Sequence, residues 1–225
     1  MTTFLINHDL IRAVALIAPK TDVRFYLNGL HIVGRQGDDY VRLEATDGGV
    51  ALVAKAGLLD DGRITDPLDV IVPIELIEQA VKVMKRALHW RITVSASDHE
   101  TMLPRVAISD EVTTVTALAV EGRYPSLSRL VHGASAPSGE VAQYDPRYLS
   151  LMQEAACIAL GKAPKKTMMM CITIRIRHNG DKVALVEMSN NNIFGMIMPY
   201  RTDEPQGVPA WYAESVATRE EEQTA

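Results

Sequence analysis

The side chains best suited to covalent or metal chemistry are scattered through this chain and form no recognisable set. Six histidines stand singly at His8, His31, His89, His99, His132 and His178, without the spacing of a metal site, and read as surface or packing residues. The two cysteines, Cys157 and Cys171, fall in different predicted elements, so free buried thiols in a reducing compartment are expected. The patterns G-x-x-x-x-G-K-[ST], G-x-S-x-G and H-E-x-x-H are all missing. Asp47, in "ATDGGV", has no acidic neighbour in sequence and reads as a turn cap in preference to a general base. Nothing here implies a catalytic residue, a metal or another cofactor.

What the chain does offer is positive charge at regular places. Its net charge is -5, which taken whole disfavours a nucleic-acid partner. Residues 7–24, 74–90 and 145–166 nevertheless carry ten basic residues: Arg12, Lys20, Arg24, Lys82, Lys85, Arg86, Arg147, Lys162, Lys165 and Lys166. The same windows hold six acids, so they sum to +4 and the remainder to -9. Solvation of an exposed helix face would explain one such window. Three alike favour a shared basic surface, suited to a phosphate backbone and blind to bases. Aromatic residues make up only 5%, too few for stacking platforms on single strands.

Each basic window is predicted to be a helix introduced by a strand. "TTFLI" (2–6) runs into Asn7, a helix N-cap, and "HDLIRAVALIA". "LDVIV" (68–72) runs through Pro73 into "IELIEQAVKVMKRAL". "EVAQY" (140–144) runs into Asp145, Pro146 and "RYLSLMQEAACIAL". The spacing of about 70 residues marks a duplicated unit. Three strand-like runs follow each helix: "VRFYLNGLHIV", "YVRLEAT" and "VALVAKA"; "WRITVSA", "PRVAIS" and "VTTVTALAV"; "CITIRIR", "KVALVEM" and "IFGMIM". In "CITIRIR", Ile172, Ile174 and Ile176 alternate with Thr173, Arg175 and Arg177. The second helix sets Ile77, Val81, Met84 and Leu88 on one stripe, and Glu78, Lys82, Lys85 and Arg86 on the other face. The class is α+β: three strand–helix–three-strand units, their helices packed on antiparallel sheets. No apolar run is long enough to span a membrane, and the start lacks a secretory pattern, so a cytoplasmic protein is expected.

"DVRFYLNGLHI" (22–32), "LEATDGGVALVA" (43–54), "VEGRYPSLSRLV" (120–131) and "MIMPYR" (196–201) together resemble the beta sliding clamp of bacterial DNA polymerase III. "DVRFYLNGLHI" (22–32) with "LEATDGGVALVA" (43–54) is similar to the family's "DVRYYLNG" and "ATDGHRLA". "VEGRYPSLSRLV" (120–131) resembles "VDGRFPDYRRV", and "MIMPYR" (196–201) resembles the closing "VMPMR". The matches keep the family's order and cover about 1–201.

The resemblance implies a DNA-clamp fold and a processivity factor that encircles duplex DNA without reading its sequence. DNA polymerase and clamp loader would dock by short motifs in a groove lined by Leu27, Thr46, Gly48, Pro125, Arg129, Leu130, Met196, Met198, Pro199 and Tyr200. It further implies a clamp domain over 1–133, half of another over 137–201, and an acidic tail over 202–225 that is expected to be disordered. Three units per chain favour a homo-oligomer, with four copies restoring a ring of twelve helices. Gly49-Val50 and Ser126-Leu127 depart from the family's His-Arg and Asp-Tyr, which puts the polar contacts to a partner motif in doubt. The competing expectation is a non-encircling adaptor or decoy that binds clamp-binding motifs or a host clamp.

Overall fold

A computed structural model describes residues 1–97, 103–134, 136–161 and 172–200. Lys162, Lys165, Lys166, His99, Cys171 and the predicted tail lie outside the described residues. The first unit is β1 (Thr2–Asn7), α1 (His8–Ala15), β2 (Gly29–Gly34), β3 (Tyr40–Thr46) and β4 (Val50–Gly57). The second is β5 (Leu68–Pro73), α2 (Ile74–Val83), β6 (His89–Ser97), β7 (Pro104–Ser109) and β8 (Thr114–Leu118). A short helix, α3 (Ser128–Ala134), precedes the third: α4 (Pro146–Ala159), β9 (Ile174–Arg177), β10 (Ala184–Met188) and β11 (Ile193–Ile197).

Local chemistry accounts for the starts of these elements. β1 buries Thr2, Phe4 and Ile6 on alternate positions and ends at Asn7, whose side chain accepts a hydrogen bond from Asp9 N at 2.8 Å. Asp145 does the same for Arg147 N at 2.8 Å, with Pro146 in the first turn, where its missing N–H costs nothing. α2 ends sooner than its pattern predicts, at Val83, so Leu88 leaves the apolar stripe and is 72% exposed. Ile74, Leu76, Ile77 and Ala80 form its buried face instead.

The strands form two antiparallel sheets, ordered β1-β6-β7-β8 and β5-β2-β3-β4-β11-β10-β9. The first two units exchange strands: β1 extends β6, and β5 extends β2. The third joins them edge to edge, with Ile193 opposite Ala54 and Ile197 opposite Val50.

One hydrogen bond recurs in all three units. Leu59 N donates to Leu5 O at 2.9 Å, Val120 N to Ile71 O at 2.9 Å, and Tyr200 N to Gln143 O at 2.8 Å. Each acceptor lies two residues before the residue that opens the helix: Asn7, Pro73 or Asp145.

The main core lies between the helices and the sheets. It holds Ile6, Ile11, Leu43, Leu76, Trp90, Met152 and Ile197, each less than 3% exposed. Burying one such aliphatic side chain is worth about 1.5–3 kcal/mol relative to leaving it in water. Residues 120–134 cover the other face of the long sheet, where Leu127 and Ala134 pack with Ala51, Val53, Val183 and Met196. No described helix is long and apolar enough to cross a membrane.

Two predicted strands change character. Phe25–Leu27 is a turn of 3-10 helix, and the strand expected from Val23 begins only at Gly29. Residues 140–144 make one isolated bridge, Gln143 to Tyr200, and one further backbone bond, from Gly180 N to Glu140 O at 2.9 Å. A strand needs a neighbour to supply its ladder, and this segment has no ladder among the described residues.

Candidate functional site

The predicted partner site is built where the β3–β4 turn meets the end of β11. Thr46 Oγ1 donates to Val50 O at 2.7 Å and accepts from Gly48 N at 3.0 Å. Asp47 Oδ1 accepts from Gly49 N at 2.8 Å and Val50 N at 2.9 Å, which is the capping role read from its position. Gly48 has φ +97°, a region that L side chains rarely enter. A Cβ at Gly48 would lie 2.8 Å from Arg24 Nη1, and one at Gly49 would lie 2.8 Å from Tyr148 Oη. The double glycine therefore lets Arg24 and Tyr148 close on the turn. Gly49 stands where the resembled motif has histidine, and Tyr148 takes the space that side chain would need.

Charges fix this arrangement. Arg24 Nη2 donates to Asp47 O at 2.9 Å and to Asp22 Oδ2 at 2.8 Å. Its hydrogen bonds to Asp22 pull that carboxyl down to about 2. Burial, then the neighbouring Asp47 carboxylate, push the Tyr148 phenol up to about 12. At the start of α4, Arg147 is paired with Asp145 and holds that carboxyl below its ordinary range, with the Tyr200 hydroxyl against the same pair.

β11 carries "MIMPYR" to the turn. Met196 is opposite Ala51 in β4, and Met198 N donates to Gly49 O at 2.8 Å. Met196 is buried against Leu127, whereas Met198 is 41% and Tyr200 54% exposed. Thr46, Gly48, Met196, Met198, Pro199 and Tyr200 are thus brought to one seam between the first and third units. Pro125, Arg129 and Leu130 are exposed around the start of α3, which Leu127 anchors to that seam. Leu27 is placed differently. It is 2% exposed and packs with Ile71 beneath Tyr124, whose ring stacks on His31 at 4.6 Å between centroids. His31 is itself held between Glu44 at 3.0 Å and Asp69 at 2.8 Å, a packing role.

The basic positions divide between two places. Arg24 and Arg147, expected on the helix layer's basic face, instead turn to the carboxylates of Asp22 and Asp145 at the seam. Both pairs have the local pattern Asp-x-Arg, a signal available in the sequence. Arg12, Lys20, Lys82 and Lys85 remain on the helix layer. A cleft of about 400 Å³ between α1, α2 and α4 is lined by Arg12 and Lys20 together with Glu78 and Glu154. A second, of about 290 Å³, is lined by His8, Arg12, Lys82 and Lys85. Arg86 lines a third, of about 850 Å³, with Leu88, His89 and Asp110. None of the predicted groove positions lines these three clefts. Arg12 is 3.4 Å from Asp9, and Lys20 reaches Glu78 at 2.6 Å. Lys82, Lys85 and Arg86 are exposed and form no ion pair with a described residue.

No family model matches the sequence, and no curated protein matches it. Solved structures do. The Bacillus subtilis DNA polymerase sliding clamp aligns over 89% of this chain with TM-score 0.61 and 15% identity. The fold is that of a bacterial sliding clamp. The Pseudomonas aeruginosa clamp aligns over 89% with TM-score 0.61 and 18% identity, and the Thermotoga maritima DNA polymerase III beta subunit over 93% with 0.59 and 13%. The chain spans 64%, 66% and 68% of the lengths of these three structures. Within this clamp fold, the seam residues and Lys82, Lys85 and Arg86 sit on different elements.

The residues that sequence reasoning missed are those that shape the turn and its surroundings: Tyr148, Ala51, Leu127 and Tyr124, with Phe25 left 53% exposed beside Arg24.

Proposed function

We propose that the chain is a sliding-clamp processivity factor. Copies of it encircle duplex DNA, turn α1, α2 and α4 toward the phosphates, and tether a polymerase, loader or other replication or repair partner at the Met198–Tyr200 seam. The carrying observation is the coexistence, in one clamp fold, of a cation cluster at Lys82, Lys85 and Arg86, without ion pairs among the described residues, and exposed apolar side chains at Met198 and Tyr200. Cations free of carboxylate partners suit mobile contact with phosphates, because each releases counterions without fixing a register. Flexible Met198 beside the amphipathic Tyr200 suits short apolar motifs from more than one partner. The clamp then does no chemistry. It raises the local concentration of what it tethers. Four copies would surround the duplex with twelve helices in the cytoplasm, where replication takes place.

The test is topological. Protein assembled on closed circular DNA should be retained through a salt wash and should run off once the circle is cut. Equal retention on circular and linear DNA would exclude encirclement. Capture of an apolar clamp-binding peptide with no DNA retention would identify the adaptor instead.

A further inference from the structure

The first two units show what paired units do for each other. β1 leaves its own unit to extend β6, and β5 extends β2 in return. The third unit has the same parts in the same places. Its bond from Tyr200 N to Gln143 O matches those from Leu59 N to Leu5 O and from Val120 N to Ile71 O. Residues 140–144 are therefore already seated as the strand that precedes the helix. Among the described residues they nevertheless have no ladder, only that bond and one from Gly180 N to Glu140 O at 2.9 Å, and β9 pairs with β10 alone.

The backbone already faces the right way for an exchange. N–H and C=O groups of successive residues in an extended chain point to opposite sides. Gln143 O turns to Tyr200, so the groups of Ala142 and Tyr144 turn outward, as those of Phe4 and Ile6 turn to β6. Val141, just before them, is 78% exposed. At the other edge, β9 carries Ile174 and Ile176 toward the core and Arg175 and Arg177 toward solvent.

We propose that two copies of the chain exchange these strands about a twofold axis. Residues 140–144 of each copy lie antiparallel to β9 of the other, so each third unit receives the borrowed strand that the first two units give each other. A second copy is the fitting occupant because donor and acceptor edges are both present on one chain, and a twofold satisfies both at once. The contact closes two open edges whose N–H and C=O groups would otherwise template unspecific pairing. It specifies one interface of the oligomer in the clamp reading, yet it requires no DNA.

Sedimentation of the 225-residue chain at micromolar concentration, without DNA, should give a dimer or a multiple of it. Ala142→Pro removes an outward amide that has no described bond within the chain, and should halve that mass while circular dichroism stays native. Should the variant fail to fold, hydrogen exchange on the wild type decides, because the amides of Ala142 and Tyr144 should exchange more slowly as concentration rises. A monomeric wild type, an unchanged mass in the folded variant, or exchange independent of concentration would overturn the exchange. A particle that associates in this way but escapes from circular DNA would refute the clamp function and leave the interface standing.

Discussion

Removing Lys82, Lys85 and Arg86 together tests the proposed DNA face at the place where the structure makes it cleanest. All three are exposed near the end of α2, so alanine there breaks no ion pair among the described residues. Each phosphate that such a cation neutralises adds about 0.9 to the slope of log affinity against log salt, so three contacts contribute up to about 2.7 per copy. Over a fourfold rise in salt, that slope difference changes the ratio of wild-type to variant affinity by about 40-fold. Lys20→Ala is the internal comparison. Its ammonium is already 2.6 Å from Glu78, so it should alter the slope less than any one of the three. Anisotropy of a labelled duplex, titrated between low and moderate salt, reads both variants, with thermal melting as the check on folding. A natively stable triple variant with an unaltered slope would refute the assignment of these residues to the DNA face.

Met198→Ala with Tyr200→Ala should weaken capture of an apolar clamp-binding peptide by tenfold or more, since truncating a central anchor costs about 2 kcal/mol or above. Full peptide affinity in the double variant, measured by calorimetry, would remove the seam from the account. Gly48→Ala should lower unfolding free energy by about 1–3 kcal/mol, because the new Cβ meets both a left-handed φ and the Arg24 guanidinium. Gly37→Ala, at φ +87° in open space, should cost less, and equal losses in denaturant titration would show that the Arg24 contact is unimportant. The Asp22 carboxyl is depressed to about 2 by Arg24, so its stabilising ionisation is complete above the usual carboxylate range near ~4 and fades as pH falls toward 2. Asp22→Asn should therefore melt below the wild type at pH 7, with a gap that narrows through that window; a gap constant down to pH 2 would contradict the pairing.

The repeat was legible because its signals are local. Asn7 and Asp145 sit where a cap must sit, Phe4 and Ile6 are buried at alternate positions of β1, and Ile172, Ile174 and Ile176 alternate with Thr173, Arg175 and Arg177. What failed depends on partners. "VRFYL" has strand composition, but Val23 and Phe25 lie in solvent and the chain turns there to carry Arg24 to Gly48. "EVAQY" has strand character but, among the described residues, no ladder to realise it. The helix at Ser128–Ala134 is too short to show a period and is held by Leu127 and Ala134 packing on Ala51 and Met196. Among the site residues, Thr46, Gly48 and Met198 could be placed from motifs alone. The diversion of Arg24 and Arg147 to their Asp neighbours could not be weighed by counting charges.

Direct imaging of the purified particle, alone and with a short duplex, tests the central claim most simply. The account predicts a closed ring whose inner wall is formed by α1, α2 and α4 and whose hole admits the duplex. Particles with no central opening, or rings whose sheets face the duplex while Lys82, Lys85 and Arg86 point outward, would contradict it.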